Sequence, residues 1–229
     1  MTALEPKTPT TYCYDLEFLE NGRTIELVSI GIVCEDGREY YAVNSEMPVA
    51  GISVHDWLCR NVVPNLPLTN REDVIAQIED ADRRGEKFYI TIPKARSLGF
   101  EINTRHSAVK PRFVIANEVR DFLLVPNKNG DRTVTPVLWA YCSAYDHVGL
   151  CQLFGPMAAL PAGMPHYTND MASYRRWLQS LSGTGIEIPE QESGHHNALA
   201  DARYNMEVLN VLETFESRLI ASTGNRLET

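Results

Sequence analysis

Apolar and polar positions change period several times along the chain, and each change marks an element. Three strand-like runs come first: YCYDLEFLE from Tyr12, RTIELVSIGIVCED from Arg23 and REYYAVN from Arg38. Short connections containing Gly22 and Gly37 join them, which predicts an antiparallel three-strand meander. VHDWLCRNVVPNL then reads as a short helix ended by Pro64. REDVIAQIEDADRRGE reads as an amphipathic helix with Val74, Ile75, Ile78 and Ala81 on one stripe. KFYITI, from Lys87, is strand-like, and the polar residues that follow it to Arg112 have no clear period. PRFVIANEVRDFLL predicts a helix and VPNKNGDRT a loop or hairpin tip. TPVLWAYC is a continuous apolar run of the kind found in a buried central strand. AYDHVGLCQLFG is helical. After GPMAALPAGMP comes a further helix, NDMASYRRWLQSL, with Met171, Tyr174, Trp177, Leu178 and Leu181 expected to face inward. GTGIEIPEQESGHH is a loop, and the last helix runs from about Asn197 to Leu219. A meander followed by alternating helices and strands predicts the α/β class, a mixed sheet flanked by helices. The expected organisation is a disordered leader over 1–10, one domain over 11–220 with an irregular insertion around 84–112, and a tail over 221–229.

Composition narrows the setting. The 229 residues are 44% hydrophobic and 22% charged, as in ordinary globular proteins. No apolar run approaches a membrane span and no secretory signal is recognisable, so a cytoplasmic protein without a membrane partner is expected. Cys13, Cys34, Cys59, Cys142 and Cys151 form no C-x-x-C pair and lie in apolar stretches, which predicts reduced, buried thiols. A net charge of −9 argues against a nucleic-acid coat protein, which relies on an overall positive field. An enzyme that binds nucleic acid in one local groove stays open, and acids gathered around metal ions would add to the deficit. Residues 94–112 run the other way. Lys94, Arg96, Arg105, Lys110 and Arg112 stand against the single acid Glu101, a stretch suited to tracking phosphates or to an exposed loop.

Candidate chemistry begins in the first strand. Residues two apart in a strand share a face, so Asp15 and Glu17 project together while Leu16 and Phe18 project the other way. Adjacent carboxylates in an apolar element repel each other and resist burial, and a hard divalent cation relieves that repulsion. Asp80 and Asp82 have the same spacing but lie on a helix, where residues two apart do not share a face. Asp146 opens a helix after the apolar strand and falls on the stripe of Leu150 and Leu153. It is also an ordinary helix-start acid, so alone it decides nothing. His196 and Asp201 would be about 140° apart on one continuous helix. If the helix starts at Asn197, a good N-cap, the histidine stays in the loop and can be brought round to the same site as Asp201. His195 competes for that role.

Four carboxylates and one histidine in this order resemble the DEDD-type 3′-5′ exonucleases of the histidine subclass, the DnaQ-like branch of the ribonuclease-H-like fold. DLEF matches the family's D-x-E motif, SAYDHVGL its second motif and HNALAD its H-x-x-x-x-D motif. Within that family the stretches DLEFLENGRTIELVSIGIVCEDGREYYAV and AYDHVGLCQLFG are most similar to the RNase AS type of actinobacteria and their phages.

The resemblance implies a ribonuclease-H-like sheet and two Mg2+ (or Mn2+) ions held by Asp15, Glu17, Asp146 and Asp201. It implies His196 as general base, and the Gly- and Pro-containing loop before it suggests that the histidine closes over bound substrate. The activity implied is removal of nucleoside 5′-monophosphates from the 3′ end of single-stranded RNA in preference to DNA. A homodimer is implied as well. Phe18, Leu19 and Ser29 are the candidate contacts to the terminal base and ribose, and each is equally an ordinary core residue. DNA exonuclease activity, hydrolysis of small nucleotides, and a catalytically silent nucleic-acid-binding module remain as rival functions.

Overall fold

The computed structural model describes residues 8–224 apart from 90–95 and 125–133. Six strands are present among them: β1 (Thr8–Glu20), β2 (Ile25–Cys34), β3 (Glu39–Asn44), β4 (Val109–Lys110), β5 (Val134–Ala140) and β6 (Asn169–Asp170). The helices are α1 (Val49–Ile52), α2 (Asp56–Asn61), α3 (Arg71–Arg84), α4 (Arg112–Leu124), α5 (Ala144–Gln152), α6 (Met171–Ser182) and α7 (Ala198–Gly224), with 3-10 turns at Val63–Asn65 and Met157–Ala159. The strands form one mixed sheet in the order β4-β3-β2-β1-β5-β6. β1, β2 and β3 are the antiparallel meander, and β1–β5, β5–β6 and β3–β4 pair in parallel. This is the mixed, helix-flanked sheet the sequence predicts, and it is consistent with a ribonuclease-H-like fold.

Alternation along β1 sorts the chemistry from the core. Tyr12, Tyr14 and Leu16 enter one cluster with Ile115, Val119 and Leu123 of α4 and Leu150 of α5. Cys13 turns to the opposite face and packs with Met171, Leu178, Val208, Leu209 and Leu212 of α6 and α7. Asp15 and Glu17 continue the Cys13 side of the strand. A third cluster joins Val28 and Val43 to Ile52, Leu58, Val63, Val74 and the buried Phe88, Leu98 and Phe100. The irregular stretch after α3 thus forms a small core of its own over the β2–β3 end of the sheet.

Several sequence expectations need correction. β1 begins at Thr8 and pairs with β5 there, so residues 8–10 belong to the sheet rather than to a leader; residues 1–7 lie outside the described residues. Of the expected KFYITI strand, Lys87, Phe88 and Tyr89 are irregular, and the remainder lies outside the described residues, as does the VPNKNGDRT loop. Pro64 sits inside a 3-10 turn that prolongs α2 instead of closing the helix. Ile75, Trp177 and Leu181 are exposed rather than inward, because α3 and α6 each bury only a narrow flank, Val74 with Ala81 and Met171 with Leu178. All five thiols are free, but Cys142 is exposed at the end of β5 and Cys151 half-buried. No described helix is long and apolar enough to cross a membrane.

Three cations of the positive stretch are engaged within the protein, while Arg105 is exposed. Arg96 is bound by Asp80 and Glu86, Lys110 by Glu118 at 2.6 Å, and the Arg112 guanidinium donates to the Gln152 carbonyl. Lys94 lies outside the described residues.

Candidate active site

Three elements converge on the Asp15–Glu17 end of β1, and each approach depends on a local feature of sequence. β2 runs beside it with Asp15 opposite Gly31 and Glu17 opposite Ser29. A bulge between Glu17 and Phe18 then resets the register and sharpens the local twist. α7 starts directly over Gly31, where a Cβ would stand 2.2 Å from the Ala198 carbonyl oxygen. Only glycine admits that approach, and it sets Asp201, in the first turn of α7, above the acid pair. α5 comes in from the other flank. Gly149 lets it lie against Leu16, since a Cβ there would meet Leu16 Cδ2 at 2.7 Å. The Leu16 amide donates to Asp146 Oδ1 at 3.0 Å, fixing that carboxylate beside β1. Lower on α7, Asn205 donates to the Tyr14 carbonyl at 3.3 Å and ties the helix to the strand.

His196 remains in the loop ahead of α7, as the N-cap argument predicts. Asn197 caps the helix through Oδ1, which accepts from the Ala200 amide at 3.2 Å. The His196 backbone is left-handed, φ 61°, and its N–H donates to Asp201 Oδ2 at 2.9 Å, while Gln191 donates to the other Asp201 oxygen at 2.6 Å. That bend carries the imidazole to the acids: donor atoms of Glu17, His196 and Asp201 all lie within 4.8 Å of one another. Asp15, Glu17, Asp146, His196 and Asp201 together line one cleft of about 640 Å3, and His195 lines it too.

Electrostatics show what the cleft requires. Burial, followed by the charges of Asp146, Glu17 and Asp201, pushes the Asp15 carboxyl well above its usual range. Burial and then Asp201 and Asp146 raise Glu17 to about 8. Asp146 rises to about 6 through burial, opposed by the Leu16 and its own backbone N–H groups. Asp201 is raised by burial and held back by Gln191, the His196 N–H and the two histidines. Among the described residues no Lys or Arg lines the cleft. Four crowded carboxylates with an imidazole at hand and no cationic side chain form a donor set that fits hard divalent cations.

Of the three candidate substrate contacts, Phe18 lines the cleft, stacked on Tyr145 at 6.1 Å between ring centroids. Leu19 instead packs against the third cluster beside Gly51, and Ser29 is buried in β2 without lining the cleft. The walls also contain Trp57, Tyr141, Tyr145, Gln191 and Tyr204, which the sequence did not single out. Tyr145 alone carried a signal, standing next to Asp146 in the helix-opening motif.

No family model matches the chain. Two curated Mycobacterium tuberculosis proteins, from strains CDC 1551 / Oshkosh and ATCC 25618 / H37Rv, are each named a 3′-5′ exoribonuclease. Each is 36% identical to this chain over 214 residues, which is 93% of this chain and 95% of the relative.

Proposed function

Because the chain belongs to the family of these 3′-5′ exoribonucleases, we propose that it removes nucleotides one at a time from the 3′ end of single-stranded RNA. Within that family we assign it to the DnaQ-like histidine subclass and to the RNase AS type. The observation that carries the assignment is the convergence of four carboxylates and His196 in one cleft.

Asp15, Glu17, Asp146 and Asp201 would hold two divalent ions, Mg2+ or Mn2+. Such ions supply neutralisation of the scissile phosphate, an acidified water and charge stabilisation at the leaving oxygen. The chain's own residues do the rest. His196, in its neutral form, takes the proton of the attacking water as the new P–O bond forms. The bond to the 3′ oxygen of the preceding nucleotide breaks, releasing a nucleoside 5′-monophosphate and a strand one residue shorter with a free 3′ hydroxyl. Phe18, backed by Tyr145, offers a flat apolar wall for the terminal base, as stacking platforms do in other single-strand binders. The Leu16 amide, Gln191 and the His196 N–H keep the Asp146 and Asp201 oxygens aimed while the site turns over. A cytoplasmic homodimer is the expected state of such an enzyme.

The test uses 5′-labelled single-stranded RNA and DNA of equal sequence with Mg2+, Mn2+ or EDTA. Wild type should shorten RNA from its 3′ end faster than DNA with either metal and neither strand in EDTA. Asp15→Asn should lose at least about a thousandfold in rate, as when one member of a concerted catalytic set is removed. Shortening in EDTA, or an active Asp15→Asn variant, would sink the proposal; faster attack on DNA would transfer the activity to that substrate.

A further inference from the structure

The loop histidine is held from outside the catalytic sheet, by a stripe of the helical segment between β3 and α3. Trp57, Asn61 and Asn65 recur every four residues and so fall on one face of α2 and the 3-10 turn that prolongs it. The Trp57 ring meets the His196 imidazole edge to face, with centroids 4.8 Å apart. The two N–H groups of the Asn65 side-chain amide are shared among three carbonyls, those of His195 at 3.0 Å, His196 at 3.2 Å and Asn61 at 2.8 Å. Asn61 in turn donates to the Trp57 carbonyl at 2.8 Å, which links the two ends of the stripe. One end therefore grips the imidazole and the other grips the backbone on either side of it.

That grip has a physical job. His196 occupies a left-handed backbone conformation that a non-glycine residue adopts only when its surroundings enforce it. The Asn65 amide is bonded to the two carbonyls that flank the strained residue. The stripe is itself anchored at depth. Asp56 accepts from both Arg60 and the Phe88 amide at 3.0 Å, and Arg60 donates onward to the Glu86 carbonyl at 2.9 Å. The small core over the β2–β3 end of the sheet thus acts as a buttress for the base.

We propose that Asn65 is a positioning residue for His196, and that the Trp57–Asn61–Asn65 stripe sets the imidazole over the acid cluster before substrate arrives. The proposal rests on His196 being the general base, and it gives the helical segment a part in catalysis.

Asn65→Ala and Asn65→Asp, which keeps the size and removes the donor, should be compared in the wild-type and His196→Ala backgrounds with labelled single-stranded RNA and Mg2+. Misplacing a catalytic group by about 1 Å costs about a hundredfold, so kcat should fall about tenfold to a hundredfold while KM stays within about twofold. In the His196→Ala background the same substitutions should cost nothing further. Trp57→Leu, at the other end of the stripe, should show the same coupling, and keeps the test alive if an Asn65 variant fails to fold. Wild-type kcat in folded Asn65→Asp, or an equal loss in both backgrounds, overturns the positioning role. A fully active His196→Ala instead overturns the assignment of the base, and the positioning role with it.

Discussion

At Glu17, ionisation and folding oppose each other. Its carboxyl is raised to about 8 from an ordinary 4.5, first by burial and then by Asp201 and Asp146. The folded chain therefore keeps a proton that the unfolded chain releases, and without cations stability declines as pH rises from about 4.5 through 8. Glu17→Gln removes that conflict. Metal-free Glu17→Gln should melt about 3–6 °C above wild type at pH 8, roughly 1–2 kcal/mol for a chain of this size, and near it at pH 4. The same variant should have lost its nuclease activity. Thermal scans at the two pH values in EDTA check the sign, and a lower melting temperature at pH 8 would refute it. Asp15 and Glu17 were legible in the sequence because paired carboxylates are anomalous in an apolar strand; Asp146, His196 and Asp201 stood out only through their order in the motif set. Trp57, Tyr141 and Tyr204 were not legible, since an aromatic residue in a helix or at a strand end looks the same whether it lines a cleft or fills a core. Leu19 and Ser29 stand outside the cleft lining for the converse reason: closeness to the acids in sequence or register says nothing of which side chains reach it.

Among the elements, the approach of α7 to β2 decides whether the site exists. Gly31 has no room for a side chain, because the obstructing atoms are the backbone of Ala198 and Leu199, which cannot rotate aside. Gly31→Ala should push the first turn of α7 outward and take Asp201 and His196 with it. We expect a loss of about 2 kcal/mol or more in stability, typical of overpacking, and a drop in Mn2+ affinity of at least tenfold. Gly149→Ala meets only the flexible end of Leu16 and the Ile25 side chain, and should cost less than Gly31→Ala on both counts. Denaturant melts and calorimetric Mn2+ titration of the two variants check that ordering; unaltered Mn2+ binding by Gly31→Ala would show that α7 does not need so close an approach. Element positions themselves were largely readable from periodicity, as for β1–β3, α3, α4 and α7. Where periodicity failed, as over 87–112, order comes from long-range partners instead: Gly99 bonds to Gln77, and Glu101 to Asn70 and Thr69. Nothing local announces such bonds.

For the whole molecule, charge sets the conditions of binding. A chain of net charge −9, with a cleft lined by four acids and no described Lys or Arg, should repel an RNA strand unless cations intervene. Fluorescence anisotropy with labelled single-stranded RNA and Asp15-containing, His196→Ala protein should show binding with Ca2+ or Mg2+ and at least tenfold weaker binding in EDTA; tight binding in EDTA would place the RNA-holding surface elsewhere. The positive stretch at 94–112 read in sequence equally as a phosphate track or an exposed loop; Arg96, Lys110 and Arg112 are engaged with acids and a carbonyl from other parts of the chain, while Arg105 is exposed. By itself the sequence determined the α/β class and the meander, because period is a local property of the residues, and it named five candidates for the chemistry through their ordered motif. Only the tertiary structure decided that those residues share one cleft, that aromatic side chains wall it, and that Trp57 and Asn65, far off in sequence, touch the histidine loop. Each of these depends on close approaches between distant segments, such as α7 over Gly31 and α5 at Gly149, which packing fixes rather than any local preference of the chain.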